Sequence, residues 1–170
     1  MIKQDTLENQ VRIVYLGIGS NLGNKKKNIE MAKFQLSSQN IEIVKSSGFY
    51  ESLSWPNKNN PKFLNIVLKI RTQLNPSKLL KKCKEIEFFL GRKKAPANSP
   101  RTCDIDIIDY NSKNIKRDVI SPHPRMHMRN FVLFPLFELD KKWKHPVSKI
   151  HIKNLILFLP KKDITTIKQI

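Results

Sequence analysis

The chain has 170 residues, of which 39% are hydrophobic and 27% are charged, a composition typical of a globular domain rather than of a disordered chain. Its formal net charge is +18, and a charge of this sign attracts polyanions such as nucleotides and RNA. No apolar run approaches the roughly 20 residues that a membrane span requires, and the first ten residues lack the apolar core of a signal peptide. We therefore expect a cytoplasmic protein with no membrane partner.

Two cysteines, Cys83 and Cys103, are too few for a disulfide framework and form no CxxC pair. Both suit buried apolar positions in a reducing compartment, which agrees with a cytoplasmic location. The sequence has no zinc-finger spacing, no RRM-like aromatic motif and no basic region followed by heptads. We therefore expect no specific nucleic-acid partner, although a small basic RNA-binding module remains an alternative.

The first predicted elements are a strand and a helix. Residues 12–18 (RIVYLGI) have the apolar density of a buried strand, and the glycine-containing segment 19–23 ends it. Asn24 can cap a helix that runs to about Gln39. The glycines do not fit a nucleotide-binding loop, since a dinucleotide fingerprint would need glycine in place of Leu22 and no P-loop motif occurs. We interpret them as a tight turn.

Two more strands and a second helix follow. Residues 41–51 and 63–72 are predicted strands, separated by the polar loop Ser52–Lys62. Asn75 begins the second helix, with a proline in its first turn, and Gly91 ends it.

A fourth strand completes the order β-α-β-β-α-β. This order is typical of a ferredoxin-like α+β fold, an antiparallel sheet with helices packed on one face. Residues 122–137 predict a loop and a short helix after that strand. We expect a single domain over residues 1–170. Its C-terminal extension, residues 151–170, is either one more amphipathic element or a partly frayed tail, and its role is unknown.

The fourth strand lies within Pro100–Tyr110 and carries two acidic residues with one residue between them. Side chains alternate along a strand, so Asp104 and Asp106 project from one face, roughly 6–7 Å apart. Cys103 and Ile105 take the other face. Two adjacent carboxylates repel each other unless a cation lies between them, most often Mg²⁺ carrying a phosphate substrate. The alternative is an exposed edge strand whose aspartates only aid solubility.

Basic residues surround this acidic pair in the sequence. Arg92, Lys93 and Lys94 precede a flexible loop that ends at Arg101. A nucleoside triphosphate with Mg²⁺ needs carboxylates for the metal and cationic groups for its phosphates, and arginine can bind phosphate oxygens in a bidentate fork. The alternative is a loop whose lysines only aid solubility.

One nine-residue segment concentrates two histidines and two arginines. His123 and His127 are four residues apart, which would suit zinc on a helix, but Pro122 and Pro124 disfavour a helix there. Nucleotide contact by His123 and phosphate binding by Arg129 fit a substrate loop opposite the carboxylates. A plain surface turn remains an alternative.

Phe63, Asn65 and Phe131 are further candidates. Aromatic residues near strand starts are core residues in most proteins. A buried Asn65 would need partners for its four hydrogen-bonding positions, and a planar heterocycle could supply them. These residues fit either the core or a site for a flat ring.

Together these features resemble the 6-hydroxymethyl-7,8-dihydropterin pyrophosphokinase family over about Val14 to Pro146. The pieces occur in family order, and the most specific are Pro-Arg-x-x-Asp-x-Asp and Pro-His-Pro-Arg. The matching segments are Gly17–Gly23, Phe63–Asn65, Glu85–Glu87, Gly91–Arg92, Pro100–Asp106, Pro122–Met126 and Arg129–Leu133.

The resemblance implies transfer of a diphosphate from ATP to the hydroxymethyl group of 6-hydroxymethyl-7,8-dihydropterin, with release of AMP, in tetrahydrofolate biosynthesis. It implies that Asp104 and Asp106 bind two Mg²⁺ ions. Arg92 and Arg101 would stabilise charge on the phosphates, and these four residues are the implied catalytic set. Glu87 is implied as a supporting residue rather than a metal ligand. We expect a monomer whose partners are ATP and the pterin.

The resemblance also implies two sets of binding residues. The residues implied for ATP are Arg92, Lys94, Arg101, Ile107, His123 and Arg129. The residues implied for the pterin are Ser52, Leu53, Trp55, Phe63, Asn65 and Phe131. In the second set, Phe63 and Phe131 would sandwich the ring and Asn65 would bind its edge.

Two departures from the family pattern stand out. Asn98 and Ser99 occupy the place where many relatives carry an aromatic residue before Pro100, and Trp55 is a candidate for supplying the missing cover. Lys94 occupies a position where relatives commonly carry arginine. Its ammonium group is a point charge and cannot form the bidentate hydrogen bonds of a guanidinium. A degenerate relative that binds the pterin without catalysis remains an alternative.

Overall fold

The computed structural model describes residues 10–170, which form five α-helices and eight strands. In chain order these elements are β1 (Arg12–Ser20), α1 (Lys25–Ser38), β2 (Glu42–Ser46), β3 (Tyr50–Ser52), β4 (Phe63–Thr72), α2 (Pro76–Phe89), β5 (Asp104–Tyr110), β6 (Ile115–Lys116), β7 (Ile120–Ser121), α3 (Asn130–Leu139), α4 (Ile152–Leu157), α5 (Lys161–Thr166) and β8 (Lys168–Gln169). A 3-10 turn, Met126–Met128, precedes α3.

Both long helices begin and end where the sequence predicts. The Asn24 side chain accepts a hydrogen bond from the backbone N–H of Lys27 at 3.0 Å, and that of Asn75 accepts from Lys78 at 2.8 Å. Each of these asparagines satisfies a backbone donor that the first helical turn leaves without a partner. Gly91 follows α2 with φ of +83°, a conformation that glycine adopts without strain.

The sheet is antiparallel at every pairing among the described residues. Its strand order is β5-β1-β4-β3-β8, and β2 pairs with the other half of the β4 edge. The prediction of an α+β fold with an antiparallel sheet is confirmed.

The prediction of one strand over residues 41–51 is wrong in detail, because the segment is divided into β2 and β3. Ser46 pairs with Leu68 and Tyr50 pairs with Asn65, so residues 47–49 lie opposite only residues 66–67. The hydroxyl of Ser47 accepts a hydrogen bond from the N–H of Val67 at 2.9 Å and so takes the place of a backbone acceptor. The extra residue bends the edge of the sheet toward the end of β3.

Helices cover both faces of the sheet, whereas the sequence predicts them on one face. The helices α1 and α2 pack on the first face over a core that includes Leu16, Ile29 and Leu79. On the second face, α3 and α4 pack over a second core. The second layer forms because β1 is apolar on both sides: Tyr15 and Leu16 are neighbours and both are buried. Both cysteines are buried and free.

The C-terminal residues are part of this second layer. Ile152, Leu155 and Leu159 are buried in the second core, and β8 pairs with β3 at the sheet edge. For residues 151–170 the sequence predicts either an amphipathic element or a partly frayed tail. The structure has ordered elements there, α4, α5 and β8, and the apolar side of α4 is buried. Among the described residues, no helix is long and apolar enough to cross a membrane.

Candidate active site

Strand pairing brings the two predicted acidic residues beside two glycines. Asp104 lies opposite Gly19 and Asp106 opposite Gly17 in the pairing of β5 with β1. A Cβ on Gly19 would lie 3.1 Å from Oδ1 of Asn65 and 3.2 Å from the ring of Phe63. Gly17 and Gly19 are therefore strand residues, and their lack of a side chain allows neighbouring side chains to approach the backbone closely. The prediction of a tight turn holds only for the residues after Gly19.

Asp104 is held between two arginines. Its Oδ1 lies 2.7 Å from Nη1 of Arg92, and its Oδ2 lies 2.7 Å from Nη2 of Arg101. Burial on its own raises the pKa of Asp104, but Arg101 and Arg92 outweigh burial and hold that pKa below its ordinary value. The carboxylate is therefore ionised at neutral pH.

Asp106 lies on the same face and has a different pair of neighbours. Its Oδ2 is 3.2 Å from Nη1 of Arg129 and 3.9 Å from Nε2 of His123. Burial lowers the pKa of His123, and Arg129 acts in the same direction against the raising effect of Asp106. His123 is therefore neutral at pH 7. We call Asp104, Asp106, Arg92, Arg101 and Arg129 the carboxylate–arginine cluster.

Glu87 ties this cluster to α2. Its side chain is 2% exposed, and its Oε1 accepts a 2.7 Å hydrogen bond from the backbone N–H of Ile105, between the two aspartates. Its Oε2 lies 2.6 Å from Nη1 of Arg92. Glu87 thus holds both the start of β5 and the guanidinium that pairs with Asp104.

The cluster has unused hydrogen-bond donors. Nε of Arg101 and Nε of Arg129 are buried and have no hydrogen-bond partner among the described residues. Since buried polar groups are normally paired, these donors fit an anionic ligand in the site.

The donor set also fits Mg²⁺. Asp104 and Asp106 offer hard oxygen ligands on one face, and Mg²⁺ is commonly held by one or two carboxylates, with water and phosphate completing its shell. Nowhere in residues 10–170 do three or more His, Cys, Asp or Glu side chains form a group that could hold a metal. That absence gives no support to a zinc site at His123 and His127.

An aromatic cavity of about 60 Å³ adjoins the cluster. Its lining includes all six residues implied for the pterin, namely Ser52, Leu53, Trp55, Phe63, Asn65 and Phe131. Both aspartates line the same cavity. The volume is well below the roughly 300 Å³ of a typical small-molecule pocket, so a bound ring requires the surrounding loops to move.

Asn65 is buried at the base of this cavity. Its Nδ2 donates to the carbonyl of Tyr50 at 3.2 Å and to Oγ of Ser52 at 3.0 Å. Both hydrogen bonds use the amide nitrogen, so Oδ1 can accept a hydrogen bond from a ligand.

Three arginines lie over aromatic rings of the cavity. The guanidinium of Arg101 is 5.4 Å from the ring centre of Phe63, and that of Arg129 is 5.5 Å from the ring of Phe131. Arg125 is 5.1 Å from the ring of Trp55, which is half-exposed. The first two arginines therefore contact an aspartate and an aromatic ring at once, which joins the cluster to the cavity.

Two residues implied for ATP lie elsewhere. The side chain of Ile107 is buried in the first core, on the face opposite the aspartates, so only its backbone could contact a ligand. Lys94 is exposed and does not line the cavity. Both assignments stay predictions.

Sequence reasoning gave no role to Asn21, which joins the two loops beside the site. Its Nδ2 donates to Oγ of Ser54 and to the carbonyl of Pro61, and its Oδ1 accepts from the N–H of Arg101 at 2.8 Å. The sequence feature that could have indicated a role for Asn21 is its position, as a polar residue directly after a buried strand.

Comparison with known proteins identifies the class. The sequence profile of 7,8-dihydro-6-hydroxymethylpterin-pyrophosphokinase (HPPK) matches residues 15–141. The chain is 40% identical over 141 residues to 2-amino-4-hydroxy-6-hydroxymethyldihydropteridine pyrophosphokinase of Aquifex aeolicus, a match that covers 82% of this chain and 88% of that protein. The chain belongs to the HPPK family.

Longer proteins also match. The chain is 39% identical over 150 residues to the folic acid synthesis protein fol1 of Pneumocystis carinii, which covers 88% of this chain but only 20% of that protein. A solved structure of Plasmodium falciparum HPPK-DHPS superposes with a TM-score of 0.72 and 17% identity, over 95% of this chain and 48% of that one. At that identity the structural match shows the fold alone.

Proposed function

We propose that this chain transfers the diphosphate of ATP to the hydroxymethyl group of 6-hydroxymethyl-7,8-dihydropterin, releasing AMP, in tetrahydrofolate biosynthesis. The observation that carries the proposal is that Asp104, Asp106, Arg101 and Arg129 line the same cavity as Phe63, Asn65 and Phe131. The cluster suits a triphosphate, and the rings suit a flat heterocycle. Family membership supports the same reaction.

The proposed roles at the cluster follow from its charges. Asp104 and Asp106 would hold two Mg²⁺ ions, which supply Lewis-acid activation of the hydroxyl and neutralise phosphate charge when bound. In the structure these carboxylates are paired with guanidinium groups. With a cation held at the carboxylates, Arg92 and Arg101 would be available to contact phosphate oxygens, to which arginine forms bidentate hydrogen bonds.

At the aromatic cavity, the proposed role is orientation. Phe63 and Phe131 would stack on the two faces of the pterin, and Oδ1 of Asn65 would accept a hydrogen bond from its edge. Stacking fixes the direction of the attacking hydroxyl, so positioning and electrostatics provide most of the rate and no protein general base is required. The loops that Asn21 joins would close over the site and exclude water, the competing acceptor.

Two structural proposals accompany the reaction. The strand order β5-β1-β4-β3 with antiparallel pairing supports a ferredoxin-like core, to which the second helical layer is added. Packing of the C-terminal residues on the same sheet supports one domain, and we keep a cytoplasmic monomer as the expected state.

The test follows AMP release from ATP with and without the reduced pterin. The proposal expects AMP and pterin diphosphate in equal amounts, and no AMP when the pterin is omitted. ADP as the nucleotide product, or AMP release independent of the pterin, would overturn it. Binding of both ligands without any turnover would instead support the degenerate relative.

A further inference from the structure

A buried amide joins the start of α3 to α5 beside the aromatic cavity. Asn130 lies in the first turn of α3, between Arg129 and Phe131, and is 9% exposed. Its Oδ1 accepts a 2.7 Å hydrogen bond from the N–H of Phe131. Its Nδ2 donates to the carbonyl of Asp163 in α5 at 2.6 Å.

One partner of Asn130 is a group that a helix cannot satisfy itself, because the N–H of Phe131 is in the first turn of α3. The other partner, the carbonyl of Asp163, belongs to the six-residue helix α5. Arg129, which precedes α3, makes no side-chain capping hydrogen bond, since a guanidinium has no acceptor for a backbone N–H. Asn130 therefore anchors the backbone of Phe131 to α5.

The same C-terminal segment, residues 161–170, also holds the opposite wall of the cavity. Lys168 and Gln169 of β8 pair with Glu51 and Tyr50 of β3, the strand that ends at Ser52. This strand is short, and β8 supplies its outer neighbour in the sheet.

A carboxylate at the far end of α3 reinforces this attachment. Glu138 accepts hydrogen bonds from the N–H of Gly48 at 3.0 Å and from the hydroxyl of Tyr50 at 2.8 Å. Gln169 of the C-terminal segment donates to the same carboxylate at 3.4 Å. The segment thus contacts α3 near both of its ends and pairs with Tyr50 and Glu51 of β3.

We propose that the C-terminal segment fixes the spacing between Phe131 and Ser52, the two walls of the aromatic cavity, and that Asn130 is the positioning residue through which it holds Phe131. The inference rests on the proposed function insofar as the cavity binds the pterin. It gives residues 161–170 a role in pterin binding and none at the carboxylate–arginine cluster.

The first test compares Asn130→Ala with Asn154→Ala, an exposed amide on α4 that serves as matched control. Loss of both side-chain hydrogen bonds of Asn130 is expected to raise KM for the pterin about tenfold. KM for ATP should stay within twofold, and Asn154→Ala should resemble the wild type in both. A parallel rise of both KM values, or no rise for the pterin, would overturn the proposal.

A second variant isolates the link to α5. Asn130→Asp keeps an acceptor for the N–H of Phe131 and removes the donor to Asp163, so it should raise KM for the pterin as Asn130→Ala does. Wild-type behaviour of Asn130→Asp would overturn the proposal. If Asn130→Ala does not fold, Glu138→Ala tests the other attachment through an exposed side chain and should also raise KM for the pterin alone.

Amide hydrogen exchange separates this inference from the proposed function, because it needs no substrate. In Asn130→Ala, exchange at Phe131 and Ser52 should accelerate while exchange in β1 and β5 stays as in the wild type. Unchanged exchange at Phe131 and Ser52 would overturn the proposed spacing role. A wild-type protein without pterin-dependent turnover would refute the proposed function, and exchange alone would then decide the spacing role.

Discussion

The carboxylate–arginine cluster and the aromatic cavity are adjacent, yet the fold builds them in different ways. Both aspartates of the cluster lie on β5, and buried Glu87 of α2 fixes the backbone between them. The cavity takes its residues from β3 and the following loop, from β4 and from α3. Most of the cluster thus comes from β5 and the loop between α2 and β5, which are close together in the chain, and only Arg129 comes from a later segment. The segments that line the cavity are brought together only by the whole fold.

This difference has a physical consequence. Charged groups at the cluster are held by short ion pairs to several partners at once, so their positions are overdetermined. The walls of the cavity depend on a short strand, a helix start and a half-exposed Trp55. We expect the cluster to be rigid, so that substitutions there strongly reduce turnover. We expect the walls of the cavity to move to fit the ligand. The following variants test this contrast.

The largest effect is expected at the acidic pair. Asp104→Ala and Asp106→Ala should each lower turnover at least about a thousandfold, roughly 4 kcal/mol in the barrier, because each removes a proposed metal ligand. Single-turnover measurement of AMP release gives the rate, and thermal unfolding checks that each variant is folded. Asp118→Ala, an exposed aspartate, is the control. Retained turnover in both variants would refute the metal assignment.

A smaller and more selective effect is expected at the cavity. Phe131→Ala removes one stacking face and should weaken pterin binding about 10- to 100-fold, in line with stacking energies of about 1–3 kcal/mol per ring. ATP affinity should not change, and calorimetry with each ligand measures both. The exposed Phe34 provides a matched Phe→Ala control. An equal loss of ATP affinity would remove the distinction between the two regions.

The smallest of these effects is expected behind the cluster. Glu87→Gln keeps an acceptor for the N–H of Ile105 but removes the charge that holds Arg92. It should raise KM for ATP about fivefold and lower the free energy of unfolding by about 2 kcal/mol, less than for an isolated buried pair because Arg92 keeps Asp104. Glu85→Gln on the exposed face of α2 is the control. A larger effect on pterin affinity than on ATP would contradict the assignment.

The contrast between local and long-range contacts also decides which parts of the fold and of the site the sequence predicts. The sequence predicts features that depend on neighbouring residues alone. These features are the side-chain alternation around Asp104 and Asp106, the helix caps at Asn24 and Asn75, and the two long helices. The division of the second strand depends on the hydroxyl of Ser47 meeting Val67, twenty residues away.

Other features depend on still longer-range packing. The second helical layer and the bridge from Asn130 to Asp163 join distant parts of the chain, as do the contacts of Asn21 with both loops. The periodicity of apolar residues in the sequence does not predict such contacts. Gly17 and Gly19 show the same limit, since only the fold shows what a Cβ would meet at each position. A Cβ on Gly17 would lie 3.2 Å from Ile108, and a Cβ on Gly19 would lie 3.1 Å from Asn65 and 3.2 Å from Phe63.

The proposed function depends above all on Asp104 and Asp106 holding Mg²⁺ against the phosphates of ATP. A crystal structure with Mg²⁺ and a non-hydrolysable ATP analogue would show whether they do. We expect oxygens of both carboxylates about 2.0–2.1 Å from metal, with Arg92 and Arg101 moved from Asp104 onto phosphate oxygens. Carboxylates still paired with their arginines, and metal and nucleotide bound elsewhere, would contradict it.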